Sequence, residues 1–73
     1  MVDRYIVTIV LKEQDGSISI TRWNEYGREG LVTAVKTVDW DVKKNGVAKG
    51  TIHRVLPEGG TIQVYARPIE KGR

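Results

Sequence analysis

Apolar residues fall in short clusters along this chain, and one longer helical stripe interrupts them in the middle. Residues 5–12 read YIVTIVLK, almost wholly apolar and rich in β-branched residues, as in a strand at the centre of a sheet. The turn pair Asp15-Gly16 comes next, and residues 17–23 then alternate between polar residues and the apolar Ile18 and Ile20. This pattern predicts a first β-hairpin over residues 4–23.

The apolar stripe lies behind a segment that two glycines punctuate. Its members recur at intervals of three and four residues: Leu31, Ala34, Val35, Val38 and Val42. Lys43 and Lys44 would complement the helix dipole, and Asn45-Gly46 is typical of a helix end. The stripe predicts one amphipathic helix over about residues 28–44.

Residues 38–46 also fit a second interpretation. The segment VDWDV alternates with period two, and its valines favour strands. Asn45-Gly46 is also the best short hairpin turn in the chain. The helix could therefore be shorter and be followed by a strand. Both interpretations stay open at this point, with the longer helix favoured.

A second hairpin over residues 48–67 completes the pattern. GTIHRVL and TIQVYAR are separated by the turn PEGG, Pro68 ends the second strand, and residues 68–73 form a polar tail. The order ββαββ predicts an α+β fold in a single domain, residues 1–73, with a four-stranded antiparallel sheet and one helix on one face. The other face of the sheet would stay open.

Length and composition restrict the class of protein. Seventy-three residues provide for one domain with a small core, in which a deep active site is hard to build. The chain has no cysteine, which excludes disulfides and thiolate zinc sites and suits a reducing compartment. Neither a signal peptide nor a membrane-spanning run is expected. We therefore expect a cytoplasmic protein.

The net charge of +3 lies in the last third of the chain. Residues 1–45 hold seven basic and seven acidic residues, whereas residues 46–73 hold five basic and two acidic ones. Basic groups interleaved with an aromatic residue are typical of surfaces that bind polyanions or acidic proteins. The candidate partner-binding residues of this hairpin are Lys49, Arg54, Tyr65, Arg67 and Lys71.

No catalytic or metal-binding pattern accompanies this charge. His53, the only histidine, has no suggestively placed nucleophile or orienting acid, so we interpret it as a strand residue. Asp39 and Asp41 lack the spacing of a metal-binding loop. We expect no cofactor, no metal and no enzymatic activity. Trp40 lies off the apolar stripe, so a helical register leaves it exposed and adds it to the candidate contacts.

The layout resembles that of small accessory proteins of bacteriophages, including anti-CRISPR-type inhibitors. The resembling segments are the opening strand RYIVTIV, the single helix and the closing hairpin GTIHRVLPEGGTIQVYA. The resemblance implies a non-enzymatic protein that binds and blocks, or redirects, a host nucleoprotein complex. It matches no family motif residue by residue and so assigns no functional residue.

Two functions are open from the sequence. The first is a protein-binding module, of the phage-inhibitor kind, that contacts a host protein or nucleoprotein complex through its basic C-terminal hairpin and Trp40. The second is a protein that binds DNA or RNA directly and uses the same hairpin on phosphates. Either could be a monomer or a homodimer, and no membrane partner is expected.

Overall fold

Four strands and one helix form a two-layer α+β fold, as predicted. The computed structural model describes residues 2–45 and 49–67, apart from the side chain of Asn45. The elements are β1 (Arg4–Lys12), β2 (Ile18–Tyr26), α1 (Gly27–Asn45), β3 (Lys49–Val55) and β4 (Thr61–Arg67). Within these ranges no helix is long and apolar enough to cross a membrane.

The sheet has the strand order β2-β1-β3-β4, and every neighbouring pair is antiparallel. The most apolar strand, β1, is therefore an inner strand with a partner on each side. β2 pairs with β1 over its whole length and continues to Tyr26, three residues beyond the predicted end of the hairpin. The extension forms because residues 24–26 find partners at Arg4, Tyr5 and Ile6.

Residues 38–45 are helical, so the alternative strand over this segment is wrong. Ala34 and Val38 are fully buried against the sheet, and Leu31, Val35 and Val42 pack beside them. Burying this continuous stripe outweighs the preference of valine and threonine for strands. The predicted turn residue Gly46 lies outside the described residues.

The core lies between α1 and one face of the sheet. Val7 of β1 and Ile52 of β3 are opposite each other in register and fully buried, as is Val38 of α1. The helix lies close to the sheet at Gly50, where an added Cβ would lie 2.6 Å from Val38 Cγ1. The absence of a side chain at this position of β3 therefore leaves room for Val38 between the two layers.

Both predicted turns are present. In the first, Ser17 donates to Asp15 Oδ1 from its backbone N–H at 2.9 Å and from its hydroxyl at 2.6 Å. These two hydrogen bonds hold the pKa of Asp15 below its ordinary value, and the bond from the hydroxyl has the larger effect. In the second, Gly59 and Gly60 adopt φ angles of +101° and +82°, which a residue with a Cβ rarely adopts.

Candidate functional site

The predicted basic hairpin is divided between the two faces of the sheet. Arg54 is opposite Tyr5 in register, and Arg67 is opposite Gly50, so both arginines belong to the face that α1 covers. Lys49 is opposite Val10 and belongs to the other face. Lys71 lies outside the described residues. The structure therefore does not bring the described basic residues of this hairpin onto one surface.

Both arginines lie beside carboxylates. Arg54 Nη1 is 3.8 Å from Asp3 Oδ2. Arg67 Nε is 3.1 Å from Asp39 Oδ1, although this N–H does not point at the oxygen well enough to form a hydrogen bond. The two pairs are partly exposed, so each contributes about 1 kcal/mol or less to stability. Their larger effect is electrostatic, because the carboxylates offset the charge on which the sequence hypothesis depends.

Tyr65, the aromatic candidate of the hairpin, also binds Asp39. Its hydroxyl donates a hydrogen bond to Asp39 Oδ1. This hydrogen bond, together with desolvation and the negative charge of Asp39, raises the pKa of Tyr65 above its ordinary value of 10.0. Tyr65, Asp39 and Arg67 thus join the edge strand β4 to the helix, which is a structural role.

Replacing Tyr65 with phenylalanine tests this role. We expect Tyr65→Phe to lower the free energy of unfolding by about 1 kcal/mol near neutral pH. The folded state holds the Tyr65 proton more tightly than the unfolded state does. The corresponding stability is therefore complete below pH 10 and is lost as the pH rises through the raised pKa.

The measurement is urea denaturation at about pH 8 and about pH 11. Wild type and Tyr26→Phe, a control at an exposed tyrosine, should lose more stability over this interval than Tyr65→Phe. An equal alkaline loss in all three proteins would show that the hydroxyl of Tyr65 does not stabilise the fold.

The uncovered side of the sheet has a different chemistry. Side chains alternate along a strand, and the buried Tyr5, Val7 and Ile9 mark the helix side of β1. The strand register then assigns the remaining positions. We call the uncovered side the open face; its residues are Arg4, Ile6, Thr8, Val10 and Lys12 of β1, Ile18, Ile20, Arg22, Asn24 and Tyr26 of β2, Lys49, Thr51, His53 and Val55 of β3, and Thr61, Gln63 and Ala66 of β4.

This open face holds four basic residues and, among the described residues, no carboxylate. Arg4, Lys12, Arg22 and Lys49 are all exposed. The carboxylates of the described chain lie on the helix side of the sheet, on α1 or in the turns: Asp3, Glu13, Asp15, Glu25, Glu29, Asp39, Asp41 and Glu58. The separation leaves the open face strongly positive, although three of its four cations come from the part of the sequence with no net charge.

A shallow depression lies at the centre of the open face. Ile6, Thr8, Arg22, His53 and Thr61 line it, and its volume is about 230 Å³. Arg22 Nε donates to Thr8 Oγ1 at 3.3 Å, which holds the guanidinium over the neighbouring strand. The depression therefore combines an oriented cation, an imidazole and hydroxyl groups. These groups suit a small anionic or polar group such as a phosphate oxygen.

Exposed apolar residues border the cations along β2. Ile18 and Ile20 are 57% and 61% exposed, and Tyr26 at the end of the strand is also exposed. Trp23, on the helix side, packs against the core and donates from Nε1 to Glu25 Oε2 at 2.9 Å. The fold thus partly buries the tryptophan of β2 and leaves its isoleucines exposed.

Trp40 lies apart from this face, on the outer side of α1. It is 63% exposed, as its position off the apolar stripe predicts. Lys44 Nζ lies 5.5 Å from the centroid of its ring, and Lys43 completes a surface depression of about 390 Å³. Trp40 therefore cannot act with Arg22 or Lys49 on one small ligand.

Sequence reasoning missed three of the four cations of the open face. Nearby acids balance Arg4, Lys12 and Arg22 along the chain, so the distribution of charge in the sequence does not single them out. A signal was present: once the Asp15-Gly16 turn sets the hairpin register, these three residues fall on the same side of the hairpin. Applying that register to the charges would have found them.

No protein-family model, curated protein or solved structure matches the chain. The resemblance to phage accessory proteins therefore stays a prediction. In the ranges that the structure describes, no group of histidines and carboxylates could hold a metal ion. The open face is the surface with the clearest chemical character.

Proposed function

We propose that the protein is a non-enzymatic binding module that holds a single-stranded nucleic acid on the open face of its sheet. The observation that carries this proposal is the separation of charge. Four cations face outward, and every described carboxylate lies on the helix, in a turn or on the other side of the sheet. Such a surface suits phosphates because a carboxylate close by would repel them.

The spacing of the cations suits a chain of phosphates. Arg4 and Lys12 lie at opposite ends of β1, about 26 Å apart for eight residues of extended strand. Arg22 and Lys49 lie between them, opposite Thr8 and Val10. The four groups therefore follow the direction of β1, and a nucleic-acid strand of several nucleotides could contact them in turn.

The shape of the face favours a single strand over a duplex. The major groove of B-DNA admits a helix or a two-stranded ribbon, whereas a four-stranded sheet is too broad to enter it. Unpaired bases can instead stack on aromatic residues of an open sheet, and Tyr26 is exposed for this purpose. Ile18 and Ile20 provide further apolar contact for bases or sugars.

This proposal keeps one function that the sequence left open but moves its site. The sequence hypothesis placed the phosphates on Lys49, Arg54, Arg67 and Lys71. Of the three that the structure describes, Lys49 alone belongs to the open face, and Arg54 and Arg67 already lie beside carboxylates. The described part of the C-terminal hairpin therefore contributes one cation of the proposed site, together with His53 and Thr61 of the depression, and not the whole site.

Salt dependence of binding tests the proposal. The experiment measures fluorescence anisotropy of labelled single-stranded DNA and RNA, and of a matched duplex, at about 50 and 200 mM salt. Four phosphate contacts predict a logarithmic slope of about −2.8 on a single strand, hence a loss of about 50-fold in affinity. The duplex should bind more weakly at both concentrations.

Two outcomes would overturn the proposal. One is the absence of binding to single strands at about 50 mM salt, where phosphate contacts are strongest. The other is an affinity that stays constant between the two salt concentrations, which would exclude phosphate contacts as its source.

A protein partner is the second candidate, favoured by one observation. An exposed tryptophan is the residue type that most often anchors a protein interface, and Trp40 stands in a depression with two lysines. Through this surface the protein would bind and block a host protein or nucleoprotein complex, as a phage-type inhibitor does. Binding of that kind would depend far less on salt than phosphate binding does.

A further inference from the structure

The outer edge of β2 carries a row of backbone groups with no strand beyond it in the described structure. Two hydrogen bonds set the phase of the β1–β2 ladder: Glu13 N–H donates to Ser17 O at 2.8 Å, and Gly27 N–H donates to Asp3 O at 2.9 Å. Hydrogen-bonded pairs alternate in an antiparallel ladder, so the odd-numbered residues of β2 bond to β1. The N–H and C=O groups that point outward therefore belong to Ile18, Ile20, Arg22, Asn24 and Tyr26.

The two edges of the sheet differ in how they are protected. β4 has a bulge, where its register against β3 shifts between Ile52 and His53, and Pro68, which has no N–H, follows it in the sequence. β2 has neither a proline nor a bulge, and its nine residues pair with β1 in unbroken register. The outer edge of β2 is thus the one suited to accept another strand.

We propose that β2 pairs with β2 of a second copy of this chain, antiparallel across a twofold axis, to form an eight-stranded sheet. A twofold axis perpendicular to the sheet keeps both helices on the same side and joins the two open faces. This inference uses the hydrogen-bond phase of β2 and does not depend on the proposed nucleic-acid function.

The charges of β2 exclude one register, and a threonine pair favours another. If Arg22 lay on the axis, it would face Arg22 of the partner subunit, and directly opposed like charges destabilise a sheet. With Thr21 on the axis, Ile20 is opposite Arg22 of the partner subunit, and Ile18 is opposite Asn24 of the partner subunit. No like charges are then directly opposed, and the two Thr21 residues form a cross-strand pair on the helix side. In this register the outward N–H and C=O groups of Ile18, Ile20, Arg22 and Asn24 meet those of the same four residues of a second copy, which is why a second copy is the occupant.

The size of the contact predicts a weak dimer. One strand from each copy buries an area at the low end of specific interfaces, below about 1,200 Å². Such interfaces form and dissociate readily, so we expect a dimer that appears as the protein concentration rises into the micromolar to millimolar range.

A cysteine scan tests the pairing, and the chain suits it because it has no native cysteine. The variants are Ile20→Cys, Thr21→Cys and Arg22→Cys, with Ile62→Cys, exposed on β4, as the control. Thr21 would belong to a non-hydrogen-bonded pair with a Cα separation of about 4.5 Å, within the range of disulfides. After mild oxidation, non-reducing gels should show cross-linking of Thr21→Cys at least about tenfold faster than of Ile62→Cys.

The alternative results are distinct. Fastest cross-linking at position 22 would overturn the register, and equal cross-linking at all four positions would overturn the dimer. Sedimentation provides a second measurement: the mass of the wild type should rise above 8.2 kDa with concentration. Ile20→Lys, which opposes lysine to Arg22 of the partner subunit, should stay monomeric, whereas Ile62→Lys should behave as the wild type. A wild type that stays monomeric up to about 1 mM would also overturn the proposal.

Discussion

Replacing Arg22 and Lys49 together with glutamate is expected to lower the affinity for a single-stranded oligonucleotide by about 100-fold or more. Each cation would donate a charge-assisted hydrogen bond to a phosphate, worth about 1.5–3 kcal/mol. The loss of two such bonds alone accounts for about 3 kcal/mol, and the introduced carboxylates add repulsion. Anisotropy titration measures the change, and the salt slope should fall by about two contacts.

A matched control distinguishes the effect of the open face on affinity from the effect of net charge. Arg28→Glu/Lys36→Glu makes the same change in charge at two exposed positions of α1. We expect this variant to bind within about threefold of the wild type, since α1 lies on the other side of the sheet from the open face and salt screens exposed charges that do not touch the ligand. If both double variants lost affinity equally, binding would depend on net charge and the open face would not be the site.

The same titration also tests whether the C-terminal hairpin is the binding site. Arg54→Gln/Arg67→Gln removes the two arginines that the described strands place on the helix side of the sheet, together with their contacts to Asp3 and Asp39. A loss of affinity in this variant, with Arg22→Glu/Lys49→Glu unaffected, would show that the original sequence hypothesis located the site correctly. Circular dichroism and thermal melting would establish that each variant is folded before the affinities are compared.

Gly50→Ala is expected to lower the free energy of unfolding by about 1–3 kcal/mol. The new Cβ would lie 2.6 Å from Val38 Cγ1 and 3.1 Å from Ile9 Cδ1. Both neighbours are buried, and the β-branched Val38 has one strongly preferred rotamer on its helix, so the contact cannot relax by a simple rotation. Urea denaturation measures the loss, which is large for a domain with such a small core.

A double-mutant cycle identifies the cause. Val38→Ala deletes both γ-methyl groups and should by itself cost about 2 kcal/mol. The double variant Gly50→Ala/Val38→Ala should be at least about 1 kcal/mol more stable than the sum of the single effects predicts. Gly59→Ala is the control. Its φ of +101° makes the substitution costly, but nothing lies within 4 Å of the added Cβ, so its effect should simply add to that of Val38→Ala. Additive effects for Gly50 and Val38 would show that this contact does not limit the helix-to-sheet distance.

The elements themselves could be predicted because their signals are local. The Asp15-Gly16 turn, the Gly59-Gly60 turn and the stripe ending at Val42 each depend on residues close together in the sequence. The end of β2 at Tyr26 was missed because it depends on pairing with residues 4–6, about twenty positions away. The local preferences of residues 38–45 fit either a helix or a strand, and burial of the apolar stripe of α1 against the sheet decides for the helix.

The turns, the periodicity of the central helix and the ββαββ order can be read from the chain, since each follows from the conformational preferences of neighbouring residues. Which side of each strand meets α1 depends instead on how the strands pair and pack. Because β2 has isoleucines on one side and Trp23 on the other, its alternation alone does not show which side faces α1. Trp23 is opposite the buried Val7 in register, so the Trp23 side faces the helix. That choice turned Arg54 and Arg67 toward carboxylates distant in sequence and brought Arg22 and Lys49 onto one open face, because charge complementarity depends on where side chains lie in space.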